Sequence, residues 1–330
     1  MLLRFVTALS GLIFFSEGVT AQVNWQNVDS LYQPLPSSVH VYKTTDSLGE
    51  KPNIAFYLIA DLKDKKLDFT VDTTYKRRLT PSEFFERNNK PLLVVNTTFF
   101  SYETNQSLNL VIKNGKLLSY NTHSVPGKGK DTLTYRHPFG SAIGISKKRK
   151  ADVAWVFTDP TINKSYYLNF IISPGRDSIE NPGQKYILKN YIYPGPDLAR
   201  GRLKNFPPWK MKTAVGGGPV LLQRGEIKIT NNEELKFVGK AIEDKHPRTA
   251  MGYTSDQKLI ILVIQGRFPG IAEGATLGQE AQILKDLGCV EALNLDGGGS
   301  SCLLINGKQT IQPSDKQGQR AVPAVFIIRD

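Results

Sequence analysis

Asn294-Leu295-Asp296-Gly297-Gly298-Gly299-Ser300-Ser301 interrupts an apolar run over residues 290–305. A carboxylate stands at the end of a strand-like segment, followed at once by three glycines and two hydroxyls. Glycine tolerates positive φ and lets backbone approach a ligand closely, and successive N–H groups in such a turn form an anion-binding concavity. A flexible Gly/Ser linker has similar composition, but linkers rarely sit inside an apolar run. The stretch therefore reads as a buried strand running into a ligand-binding turn.

The flanking sequence sets the frame around it. Residues 258–264 form a β-branched strand ending in Gln265-Gly266-Arg267. Thr276-Leu277-Gly278-Gln279 is a capping box, opening a helix to about Leu287 with Leu277, Ala281, Leu284 and Leu287 on one face and Gly288 at its end. Strand, helix and strand make one βαβ-like unit. Asp296 lies at the carboxyl end of its second strand, where open sheets carry ligand sites.

The rest of the chain predicts mostly short strands. Residues 54–60 and 67–72 are strands, and Thr80-Pro81-Ser82-Glu83 starts a short capped helix. Residues 91–95 form a buried strand that delivers Asn96-Thr97-Thr98-Phe99-Phe100-Ser101, a polar cluster at a strand end. Asn114-Gly115 and Asn306-Gly307 mark hairpins. Residues 141–146 and 153–158 pair around a basic turn, and residues 173–208 are irregular. A second glycine triple, Gly216-Gly217-Gly218, precedes Pro219 and another strand. The fold class is α+β: mixed, mainly antiparallel sheets with a few helices and one βαβ-like unit carrying the Asp-Gly-Gly-Gly turn.

At the N-terminus an apolar run over residues 5–15 precedes Val19-Thr20-Ala21, with small residues where a signal peptidase reads. This predicts a signal peptide over 1–21, an N-terminal arm over 22–52 and a catalytic domain over 53–330. No later stretch is long enough for a membrane helix, so the expectation is a secreted or periplasmic protein without stable membrane insertion. The formal net charge of +12 favours anionic partners. Basic residues are scattered apart from Lys147-Lys148-Arg149-Lys150, and no nucleic-acid motif is present, so nucleic acid is not an expected partner. Cys289 and Cys302 can bridge in an oxidising compartment, but two cysteines cannot scaffold a chain of this size. The four histidines are far apart and no His/Cys cluster has metal-ligand spacing. No cofactor or metal is expected, although Asp296 with backbone oxygens offers a place for a divalent ion.

Pro247-Arg248-Thr249-Ala250-Met251-Gly252-Tyr253, the Gln265-Gly266-Arg267 strand end, the helix from Thr276 and the Asn294–Ser301 run occur in one order. That order and spacing resemble the phosphodiester glycosidase family. The segments at 96–100, 216–219 and Arg320-Ala321-Val322-Pro323 are also similar, so the resemblance covers about residues 50–330. It implies hydrolysis of the bond between an anomeric carbon and phosphate in a small-molecule or glycan phosphodiester. The products would be a free N-acetylglucosamine-like sugar and a phosphomonoester. In this reading Asp296 is base or nucleophile and Arg248 binds the phosphate through bidentate bonds. Asn96 and Thr98 meet the sugar or the attacking water. Gly217, Gly218, Gly297, Gly298, Gly299, Ser300 and Ser301 line the site, with Gln265, Arg267 and Arg320 beside them.

Competing explanations stand for the two main residues: an internal Arg248–Asp296 ion pair, or Asp296 capping its own turn. Glu280 is accounted for by the helix dipole alone. The family often carries Asp at position 265 and glycines at 97 and 98, and losing the carboxylate at 265 bears on substrate and activity. A non-catalytic binder of phosphorylated or acidic glycans at the cell envelope is the alternative function.

Overall fold

Alternation of side chains decides which face each strand buries. In Ala55–Asp61, Phe56, Leu58 and Ala60 enter the main core, while Ala55 and Tyr57 join a second cluster on the opposite face. The same split recurs in Lys258–Ile264: Leu259, Ile261 and Val263 face one way, Ile260, Leu262 and Ile264 the other. A strand buried on both faces reads as continuous apolar sequence. These two are the centre of an eight-stranded sheet. Its order is Gln26–Asn27, Val39–Thr44, Ala55–Asp61, Lys258–Ile264, Arg248–Thr254, Cys289–Asn294, Val220–Gln223 and Glu226–Ile227.

The computed structural model describes residues 23–180 and 207–330. The signal peptide expected over 1–21, and most of the irregular segment expected over 173–208, lie outside the described residues. Among the described residues every strand pairing is antiparallel. The βαβ-like unit takes a split form. Lys258–Ile264 and Cys289–Asn294 run parallel to each other, but Arg248–Thr254 lies between them, antiparallel to both. The helix Leu277–Asp286 crosses one sheet face with Leu277, Ala281, Ile283 and Leu284 buried.

The other face packs on two further sheets. One has five strands: Lys308–Gln309, Leu303–Ile305, Leu93–Asn96, Ala324–Arg329 and Asp68–Thr73. The other has six, with Gly140–Ile145, Ala151–Asp159 and Thr213–Gly216 among them. Residues from all three sheets share the main core, for example Leu58, Ile261, Val95, Phe326, Ile143 and Trp155. The expected arm is partly sheet: Val39–Thr44 pairs along Ala55–Asp61 and buries Val39 and Val41. Local punctuation matches expectation. Thr80 and Thr276 both form complete capping boxes. Asn114 and Gly115 take φ of 52° and 77°, and Asn306 and Gly307 48° and 76°, as a type I′ turn requires.

Candidate active site

Two strand ends from different sheets converge at the Asp296 turn. The Asp296 N–H donates to Thr97 O at 2.8 Å and the Leu295 N–H to Thr249 O at 2.8 Å. Asn96 Nδ2 donates to Asp296 O at 2.6 Å, while Asn96 Oδ1 accepts from Thr249 Oγ1 at 3.1 Å and Cys302 N at 3.0 Å. Expected to face sugar or water, Asn96 is instead fully buried and its amide is committed to protein. Its role is to clamp the turn, because a buried carboxamide left without partners would be costly. Thr98 is buried as well, and its hydroxyl has no partner among the described residues.

Gly298 and Ser300 donate their N–H groups to Pro247 O at 2.8 Å and Gly297 O at 3.1 Å, and Ser301 donates to Gly298 O. The Gly297 and Gly299 N–H groups make no hydrogen bond among the described residues. Asp296 is half-buried. Burial pushes its carboxyl up to about 7, and the neighbouring Ser300 hydroxyl and Arg320 guanidinium pull it back down.

Positive charge surrounds this turn closely. A Cβ on Gly298 would lie 3.0 Å from the Arg267 guanidinium, and one on Gly299 would run into Arg320. The glycines thus make room for two arginines. Arg320 donates through Nε to Asp315 at 2.7 Å and through Nη1 to Ser300 Oγ at 3.5 Å, which aims it at the turn. Arg248 is placed differently from expectation. It is buried, donates to Ala275 O at 2.8 Å and Asp244 O at 3.2 Å, and forms no ion pair with Asp296 among the described residues. Those carbonyls anchor it beneath the turn, so Arg267 and Arg320 are the cations that flank the glycines.

The second glycine triple also faces inward. Gly217 N–H donates to Ser141 O at 3.0 Å and Gly218 N–H to Asn294 O at 2.7 Å. They are therefore spent within the protein rather than offered to a ligand. The triple is needed for packing: a Cβ on Gly217 would collide with Asn294 O, and Gly218 has φ of +123°. Gln265 is buried, and its Oε1 accepts from Gln312 N at 2.8 Å, tethering the 312 loop rather than reaching Asp296. Cys289 and Cys302 are both free and buried in different core clusters, so the bridge allowed by their spacing does not form.

A family model described as phosphodiester glycosidase matches residues 89–329. The chain belongs to the phosphodiester glycosidase family. N-acetylglucosamine-1-phosphodiester alpha-N-acetylglucosaminidase from Mus musculus is 32% identical over 89 residues, which are 27% of this chain and 17% of that protein. The Bos taurus enzyme is 37% identical over 103 residues, 29% of this chain and 19% of that one. The alignments thus span less than a fifth of these curated relatives. The solved catalytic domain of the zebrafish enzyme, auto-inhibited by its pro-peptide, superposes with a TM-score of 0.55 at 21% identity, covering 94% of this chain and 89% of that one. A hypothetical protein from Synechocystis gives 0.59 at 15% identity, covering 92% and 63%. These likenesses show a shared fold.

Within this phosphodiester glycosidase fold, some residues near the turn escaped the sequence reading. The helix dipole favours an acid at position 280, but Glu280 is also completely buried and both its oxygens lack partners among the described residues. Burial raises it to about 8, with nearby Arg248 opposing the shift. His246 lies in the same electrostatic neighbourhood, where burial and then Arg248 and Arg267 lower its pKa. Tyr102 is 62% exposed, with the Arg78 and Arg320 guanidiniums 5.1 and 5.8 Å from its ring centre. Neither Arg78 nor Tyr102 carries a motif signal. Only the fold brings them to Arg320.

Proposed function

We propose that the protein hydrolyses the bond between an anomeric carbon and phosphate in a sugar-1-phosphodiester, releasing an N-acetylglucosamine-like sugar and a phosphomonoester. The signal-peptide pattern supports an exported site of action. The observation that carries the reading is Asp296, a carboxyl raised to about 7 in a glycine turn flanked by Arg267 and Arg320.

In this reading Arg267, Arg320 and the Gly297 and Gly299 N–H groups hold the phosphate. As the anomeric carbon–oxygen bond breaks, its electron pair passes to the phosphate oxygen, where these donors stabilise the charge. Phosphate is a good leaving group, so the demand for a strong second carboxylic acid is lower than in ordinary glycoside hydrolysis. Ionised Asp296 then either takes a proton from water attacking the anomeric carbon or attacks that carbon itself, with water later releasing the sugar. Asn96 and Thr249 fix the backbone from which Asp296 projects.

Asp296→Asn is expected to lower kcat on a sugar-1-phosphodiester by on the order of 10²–10⁴. Release of reducing sugar and phosphomonoester measures it. The Tm should hold or rise, because burial already disfavours the charge. Wild-type rates in a folded Asp296→Asn variant would overturn the assignment.

A further inference from the structure

Beyond the Gly216-Gly217-Gly218 segment lies a cavity of about 280 Å³. Its walls include Phe99, Leu108, Val125, Pro138 and Phe139. Phe99 is three residues past the Asn96 clamp. Its ring centre is 6.0 Å from that of Phe237, which in turn lies 5.9 Å from the Arg248 guanidinium. Glu234 and Lys236 in its wall abut Gly218, whose N–H donates to Asn294 O, two residues before Asp296.

Most polar side chains that line it are already spent. Asn109 accepts from Phe99 N and donates to Gly217 O, and Asn121 accepts from Leu110 N and donates to Val156 O. Thr122 donates to Leu108 O. Glu234 accepts from Ser141, Trp155, Val220 and Thr230. Lys236 is different. Its ammonium lies 5.4 Å from the Phe99 ring centre and has no carboxylate within ion-pair distance among the described residues. Burial lowers its pKa, and Glu234 opposes that shift. The intervening Leu235 takes a left-handed φ of 53°, a conformation a bulky residue adopts only at a cost. The turn puts both Glu234 and Lys236 against Gly218, where a Cβ would meet either one.

A sugar ring needs open donors and acceptors on its walls, and these are consumed here. An apolar body with a single negative charge matches what remains. One ammonium in the field of the Glu234 carboxylate suits a monoanion better than a dianion. We propose that this cavity is the subsite for the group esterified to the far side of the phosphate, and that it selects an apolar or aromatic body bearing a carboxylate, held by Lys236. The inference rests on the phosphodiester reading above.

The test compares the phenyl and 4-carboxyphenyl esters of α-N-acetylglucosamine 1-phosphate. Wild type should show a KM about tenfold lower for the carboxyphenyl ester. Lys236→Met keeps the apolar stem. It should erase that preference, leaving kcat and the phenyl-ester KM within about twofold. Leu108→Trp, at a rim position 40% exposed, should fill the cavity and raise KM for both esters. A preference that survives Lys236→Met, or equal KM values in wild type, overturns the subsite. If wild type cleaves neither ester, the hydrolytic reading fails by itself. Calorimetry with phenyl phosphate and 4-carboxyphenyl phosphate then decides the cavity: a carboxylate preference lost in Lys236→Met upholds it, and no preference overturns it.

Discussion

Burial raises the Asp296 carboxyl to about 7, while Ser300 and Arg320 work against the shift. If the ionised form acts, kcat/KM must fall as pH drops through about 7, where an ordinary aspartate would hold its rate to near 4. Ser300→Ala removes one stabiliser of the charge. It should move this acidic limb to higher pH by roughly half to one unit, with the plateau rate reduced less than in Asp296→Asn. A pH–rate profile of both proteins checks the point, and a limb that stays put would remove Ser300 from the account. Arg320 bears on the same titration. It is held by Asp315, so its effect depends on a residue nineteen positions from Asp296 that no motif marks. The carboxylate was legible in the sequence because three glycines follow it. Its neighbours Arg267 and Arg320 entered only through the family resemblance, since the arginines beside Gly298 and Gly299 come from separate loops that no local pattern joins.

The helix Leu277–Asp286 shows how far local sequence carries and where it stops. Its capping box, apolar face and terminal glycine are short-range features and read correctly. Glu280 in its first turn fits the same rules, since a dipole favours an acid there. Sequence could not show that strand Arg248–Thr254 and its buried arginine close over it, leaving the carboxyl without a hydrogen-bond partner among the described residues. The linkage sign follows from burial. Glu280 is raised to about 8 in the fold against about 4.5 in an unfolded chain, so the folded state holds its proton longer. Its contribution to stability is complete below about pH 4.5 and is lost as pH climbs through about 8. Glu280→Gln should flatten this decline, on the order of 2–4 kcal/mol between pH 4.5 and 8.5, in denaturant melts at both pH values. An unchanged difference between the two pH values would show that Glu280 is ionised and compensated in the native protein. The left-handed Leu235 that places Lys236 is invisible to pattern rules.

Three sheets share one core, and the candidate site sits where their strand ends meet. Leu93–Asn96 arrives from the five-stranded sheet, Cys289–Asn294 and Arg248–Thr254 from the eight-stranded one, and Thr213–Gly216 from the six-stranded one. Alternation in each strand was readable, and so were the hairpins. The order of strands was not, because pairing partners such as Val325 and Asn96 lie far apart in sequence. The same convergence concentrates charge. Arg267 and Arg320 flank the turn, and Arg78 meets Arg320 at Tyr102, in a chain of formal net charge +12. The field of an excess of positive charge steers an anionic ligand toward the surface that carries it. At about 10 mM salt that field reaches about 30 Å, and at about 150 mM only about 8 Å. The value of kcat/KM for a phosphodiester should therefore fall about three- to tenfold between these conditions, chiefly through the encounter step. Cleavage of an uncharged aryl glycoside, if measurable, should change little. Arg78→Met removes one cation beside Tyr102 without touching Asp296, and should reduce the salt slope more than the rate at high salt. Stopped-time assays of sugar release across the salt series provide the measurement. A flat profile for the phosphodiester would mean that recognition rests on short-range contacts alone, and that the gathered arginines serve the fold rather than the encounter.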